Sequence, residues 1–341
     1  MSFIASTAED LTLNTCVFEN NTSSATASTS YAGGLYLYQA GTGATTLSAT
    51  TFASNQAVST STAYPSAIGG GIFAYLTGTG ATTFTDVVLS GNAAQAAYVA
   101  EGGGIYLWNQ GTGAVTFTGA DIQDNNTVSS TSTGAGLFVA TSYAGSCTIE
   151  ASTVSNNVTY GNTHAVAGDG GGLYAMLSGT TLVVDGTTFE GNEASGAAGI
   201  YASVEGSTLL SVQNDSAIQG NSGHGVFIAG YDTGSAFTLD DSRIVSNTAS
   251  GLYLQTSGRG TTAAATCTGS SGTDAGIYDN AVFGVYGACN AGSTCLFQAT
   301  SCDFDNPTTG TSNGGYDTFM YGLPGSWPED ATFSCDGLLC L

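Results

Sequence analysis

The feature that most constrains this chain is an arc of fixed length, repeated between a glycine and an asparagine. A glycine followed by an aliphatic and an aromatic residue occurs at Gly34-Leu35-Tyr36, Gly71-Ile72-Phe73, Gly104-Ile105-Tyr106, Gly136-Leu137-Phe138 and Gly172-Leu173-Tyr174. It continues at Gly199-Ile200-Tyr201, Gly225-Val226-Phe227, Gly251-Leu252-Tyr253 and Gly284-Val285-Tyr286. An asparagine three residues after an apolar residue recurs at Asn21, Asn55, Asn92, Asn125, Asn157, Asn192, Asn221, Asn247 and Asn280. From Gly34 to Asn55, Gly71 to Asn92, Gly104 to Asn125 and Gly136 to Asn157 the separation is 21 residues each time. The return from asparagine to the next glycine takes 16 residues after Asn55 but 4 after Asn221, Asn247 and Asn280. One arc is held and the other is free, as in a stack of coils whose insertions fall on one flank.

The fixed arc alternates with period two, Leu35 and Leu37 against Tyr36 and Tyr38, Ile105 and Leu107 against Tyr106 and Trp108. Such alternation in Thr, Val, Phe and Tyr between Gly and Asn turns reads as short strands. The expectation is an all-β fold, a right-handed parallel β-helix of about ten coils. Each strand then pairs with its equivalent one coil on, about 4.8 Å away. Aliphatic residues one and three places after each glycine should point inward, and the aromatic residue at the second place outward. Asparagine suits a left-handed corner and stacks with hydrogen bonds between coils. Glycine allows positive φ or a close backbone approach.

Residues 1–306 therefore read as coils. Their long, Ser/Thr/Ala-rich returns at 22–33, 56–70, 93–103, 126–135 and 158–171 read as loops on one flank. Residues 307–341 read as an irregular last coil with Cys and Pro. Gly315 to Asp336 is again 21 residues, which extends the repeat with Asp in place of Asn. The matching phase of the two ends suggests a piece of a longer protein, or copies meeting end to end.

Two Lys plus Arg against 25 Asp plus Glu give a net charge of −23. That balance repels nucleic acid and anionic membrane surfaces. The acids are scattered, so no metal ligand set and no cofactor is expected, with calcium the cation left open. Met1 opens no basic, apolar leader, and no apolar run is long enough to span a membrane. Six of eight cysteines, Cys267, Cys289, Cys295, Cys302, Cys335 and Cys340, crowd the last quarter. They read as disulfide candidates in an oxidising compartment, extracellular or at a cell surface. Cys335 with Cys340 is one pairing; Cys289 with Cys295 or Cys302, and Cys267 with either, stay open. Cys16 and Cys147, several coils apart, should not pair.

The nine rings Tyr36, Phe73, Tyr106, Phe138, Tyr174, Tyr201, Phe227, Tyr253 and Tyr286 form a candidate binding ladder for a glycan or a protein surface. Gly223-His224-Gly225, Asp240-Asp241 and Arg243-Ile244 echo pieces of the motif set of polygalacturonase-type hydrolases, in reversed order. Thr42, Thr45, Thr46, Thr79, Thr82, Thr83, Thr112 and Thr116 stack over three coils, and the array should end near residue 118.

The paired signatures resemble the repeats of the polymorphic outer-membrane-protein family of bacterial surface adhesins. Phe18/Asn21, Phe52/Asn55 and Phe189/Asn192 match its Phe-x-x-Asn motif. Gly33-Gly34-Leu35, Gly70-Gly71-Ile72, Gly103-Gly104-Ile105 and Gly171-Gly172-Leu173 are similar to its Gly-Gly-aliphatic motif. The resemblance covers most of residues 1–306 and implies a surface protein. The leading expectation is thus a non-enzymatic extracellular β-helix, adhesin-like or fibre-forming. Its partner would be a glycan, a protein surface or its own copies, without nucleic acid or membrane insertion. The alternative is a carbohydrate-active β-helix enzyme, a polysaccharide hydrolase or lyase.

Overall fold

A computed structural model describes residues 2–5, 8–61, 65–142, 145–163, 165, 167–230, 234–256, 262–270, 275–288, 293–304, 318–321, 332–335 and 338–339, the last three stretches as backbone only. Among these residues all regular structure is β, as the alternating pattern requires. Three ladders of short parallel strands run along the stack. The first climbs through strands such as Leu35–Gln39, Ile72–Leu76, Ile105–Asn109 and Leu137–Ser142. The second climbs through Thr45–Ser48, Thr82–Thr85 and Val115–Thr118, and the third through Thr51–Ala53, Val88–Ser90 and Asp121–Gln123. Register is strict: Leu35 pairs with Ile72, Ile72 with Ile105, and Ile105 with Leu137. The one antiparallel pair among the described strands joins Thr332–Cys335 to Leu338–Leu339.

Inward residues of the three ladders form one continuous core, with Leu35, Ile72, Phe52, Phe84, Phe117 and Phe189 fully buried. Phe84 and Phe117 stack at 4.5 Å between ring centroids, so equivalent residues pack on each other along the axis. Eight full turns separate Asn21 from Asn280, against the ten or so expected. The larger number counted partial coils at both ends, and the third ladder ends at Gly276–Tyr278.

The corner beside the asparagines differs from expectation in one respect. The left-handed residue is the one before each asparagine: Asn20, Ser54, Gly91, Asp124, Asn156, Gly191, Gly220, Ser246 and Asp279 all have φ between 54° and 64° or close to it. The asparagines themselves serve as hydrogen-bonding groups. Asn55 Nδ2 donates to Asn92 Oδ1 at 3.0 Å and to the Phe18 carbonyl at 2.8 Å. Its own Oδ1 accepts from the backbone N–H and Nδ2 of Asn21, at 3.1 and 2.9 Å. The amide thus uses both donors and both acceptor positions. The same pattern links Asn92, Asn125, Asn157, Asn192, Asn221, Asn247 and Asn280 in one file.

That file explains the fixed arc. A Cβ added to Gly104 would lie 2.5 Å from the Gly136 carbonyl oxygen and 3.1 Å from the Asn125 side chain. The glycine is a close-approach residue, and the asparagine it touches closes the same coil 21 residues later. Each coil is therefore complete without its return arc.

The five long returns are not loops throughout but carry short strands. Thr22–Ala25, Gln56–Ser59, Ala93–Ala96, Asn126–Val128 and Val158–Tyr160 form a ladder that merges with the first sheet at Glu193–Glu205. Ser30–Tyr31, Ser66–Ile68, Val99–Glu101 and Thr131–Thr133 form a separate four-stranded sheet. Ala57, Ala67, Ala94, Ala96 and Ala100 are a small core between the two. This flap accompanies the N-terminal coils and stops where the returns shorten.

Cys267, fully buried, is bonded to Cys302 on the next coil, one of the pairings the sequence left open. Cys295 is also disulfide-bonded, and Cys16 and Cys147 are free thiols. Cys289, Cys340 and the Cys335 side chain, with most of 307–341, lie outside the described residues.

Candidate functional site

Alternation along the first sheet puts its even positions outside. The nine rings at the second place after each glycine stand there as a stack, with successive centroids 4.4 to 5.4 Å apart. The sequence leaves two readings of this ladder, an exposed binding face or a stack covered by the return arcs, with Phe227, Tyr253 and Tyr286 the least covered. The flap covers its N-terminal part: Phe73, Tyr106 and Phe138 are 5%, 8% and 3% exposed, with Ala32 and Ile68 packed on them. Tyr201, Phe227, Tyr253 and Tyr286, past the flap, are half-buried.

A second outward column, two places further along each strand, is more open. It runs Tyr38, Tyr75, Trp108, Ala140, Met176 and Ser203 in direct register. Tyr38 and Tyr75 lie 5.5 Å apart and Tyr75 and Trp108 5.1 Å apart. Tyr75 Oη donates to Gln110 Oε1 at 2.8 Å, which fixes that ring. Trp108 and Met176 are 38% and 47% exposed, unusual for large apolar side chains. Ala140 between them leaves a cleft of about 210 Å³. Ser203 continues the column beyond Met176, and Ser142, Ser178 and Glu205, two places further along their strands, line the other side. The alternation that marks Tyr36 as outward also marks Tyr38, Tyr75 and Trp108. No repeat marks them as a site, because Ala140 and Met176 break the aromatic pattern.

Three titratable groups stand in another file, on the flap's seam. Glu101 pairs with Thr133 in register, and Thr133 bridges to Asp169. Asp169 Oδ1 accepts the Ala197 N–H at 3.3 Å, and Ala197 pairs with His224. Burial pushes the Glu101 carboxyl from 4.5 up to about 7 and raises that of Asp169. His224 Nδ1 accepts the Ser250 N–H at 3.2 Å, so a neutral ring carries its proton on Nε2. Burial holds this imidazole below its usual range.

The hydrolase-like pieces do not meet. His224 belongs to the first sheet, whereas Asp240 ends a strand of the second, where it accepts a bond from Thr268. His164 and Arg259 lie outside the described residues. The outward threonine column Thr46, Thr83, Thr116 continues to Thr148, one coil further than the sequence suggested, before Val183 replaces it. Among the described residues, no three His, Cys, Asp or Glu are grouped to hold a metal ion, and no helix is long and apolar enough to cross a membrane.

Residues 70–266, more than half of the chain, match the family model described as a right handed beta helix region. No curated protein matches the chain. Among solved structures it is similar to a mutant of the periplasmic alginate epimerase AlgG, 10% identical, over 84% of this chain and 76% of that one, with a TM-score of 0.35. It is also similar to the A-module of the Azotobacter vinelandii mannuronan C-5 epimerase AlgE6, 15% identical, over 94% and 90%, with a TM-score of 0.30. Likeness at that level transfers no role.

Proposed function

The chain belongs to the right-handed β-helix family, and from that premise we propose that it is a non-enzymatic extracellular or cell-surface protein that binds glycan through the outside of its first sheet. The observation that carries this reading is the column Tyr38–Tyr75–Trp108, its rings in tilted contact at 5.5 and 5.1 Å and part-exposed on the outer face. The ring edges and the Trp108 side towards Ala140 stay free for a ligand, and such aromatic surface suits sugar rings, whose C–H faces are apolar. The Cys267–Cys302 bond supports an oxidising compartment. The surface-adhesin character implied by the Phe-x-x-Asn repeats belongs to the same proposal.

A glycan array on the purified protein tests it. Retention of at least one glycan class, weakened when Tyr38 and Tyr75 are both changed to Ala, is the expected result. No retention of any glycan would contradict it and leave a purely structural role.

One observation favours a carbohydrate-active enzyme as the second reading. Glu101 and Asp169, both with raised carboxyl pKa, stand two coils apart, about 9.6 Å by strand spacing. A carboxyl poised near neutrality suits acid–base work on a glycosidic bond. Cleavage of an arrayed glycan, lost in Glu101→Gln, would move the assignment there.

A further inference from the structure

We propose that the cleft over Ala140 is a subsite for a single uncharged hexopyranose ring, held between Trp108 and Met176. This rests on the glycan-binding reading and gives it a place and a ligand class.

The argument starts from strand spacing. Side chains in register along this column repeat about every 4.8 Å. Where the column is aromatic, that distance is taken up by ring-on-ring contact, at 5.5 Å and then 5.1 Å. Ala140 ends just beyond Cβ, so nothing of its own fills the next step. Trp108 and Met176 are two steps apart, about 9.6 Å. A ring midway between them lies about 4.8 Å from each, within the usual range for stacked contacts. The gap has the thickness of one ring. Its volume of about 210 Å³ falls below the roughly 300–1,000 Å³ of drug-sized pockets, which again fits one sugar unit better than several.

The chemistry of the walls selects among rings. Above and below are an indole face and a thioether, both apolar and polarisable. In the plane stand Ser142, level with Ala140, Ser178, level with Met176, and Glu205 one coil on. The occupant needs apolar faces and a polar rim, which describes a pyranose. An aromatic side chain would set C–H edges against hydroxyls and a carboxylate, burying polar groups unpaired. A nucleotide would bring phosphate towards a chain of net charge −23. A uronate would set its carboxylate against Glu205. What remains is a ring without charge.

Titration calorimetry of the full chain with neutral oligosaccharides of glucose, mannose and galactose, and with an oligouronate of equal length, tests the subsite. Ala140→Phe fills the gap with the chain's own ring, on an outward, part-buried position beside the covered aromatic cluster and outside the inner core. Trp108→Ala removes a wall. At least one neutral series should bind. Both variants, checked for unchanged circular dichroism, should weaken it tenfold or more, and the oligouronate should bind at least tenfold more weakly. Full affinity in Ala140→Phe would place binding elsewhere on the face, overturning the subsite while the glycan-binding reading stands. Preference for the oligouronate would overturn the uncharged ligand. No heat with any oligosaccharide would remove subsite and reading together.

Discussion

At the scale of single residues, the repeat is a pair of groups that meet. Gly104 touches the Asn125 side chain, and Asn125 bonds to its neighbours at 2.9 and 3.0 Å. Both were legible because one residue type serves at every coil. A second polar file was not. Thr50, Ser152, Thr187, Ser216 and Ser242, each five residues before a file asparagine, accept at their hydroxyl oxygens a backbone N–H from the preceding coil. There Thr and Ser exchange freely, and Val87 and Ala120 occupy the same place, so no single letter marks it. Glu101 gives the residue-scale prediction. Its raised folded-state pKa favours the protonated form, so its stabilising contribution is complete below about pH 4.5 and is lost as pH rises through about 7. The loss is about 3 kcal/mol at most, at 1.36 kcal/mol per pKa unit. Urea midpoints at pH 4.5 and pH 8 should differ less in Glu101→Gln than in the parent chain. Equal differences in the two would show that Glu101 is not the group that titrates.

At the scale of elements, the three ladders were readable from period-two alternation, whereas the flap was not. Its strands are two to four residues long, and its core is alanine, which carries too weak an apolar signal to separate a strand from a Ser/Thr-rich loop. The consequence for the candidate site is direct. The ladder through Phe73, Tyr106 and Phe138 reads as a solvent-facing surface only if the returns are loose. The flap's independence from the main core leads to a test. Ala94, fully buried in the alanine core, has no room for a larger side chain, so Ala94→Leu should cost about 1–3 kcal/mol. Hydrogen exchange should quicken in Ser66–Ile68 and Val99–Glu101 while the Asn92 and Asn125 amides keep their protection. Exchange that quickened equally in the asparagine file would show the flap and the coil to be one unit.

At the scale of the whole molecule, the protein is a stack in which each coil contacts its neighbours, thicker where the flap lies and slimmer beyond it. Stability in such a stack is a sum of coil terms and nearest-neighbour terms. The outer face, with its two aromatic columns, exists because the coils stay in register, and register is held by the asparagine file. The most direct measurement is therefore a double-mutant cycle along that file, followed by denaturant unfolding. Asn125 and Asn157 are adjacent members, bonded at 3.0 Å. Changing either to Ala leaves the other with an unpaired buried group, a penalty that disappears when both are changed. The pair should cost less than the sum of its singles by at least about 0.5 kcal/mol. Asn92 and Asn192, three coils apart, should add within about 0.5 kcal/mol. Strict additivity for Asn125 and Asn157 would contradict the account.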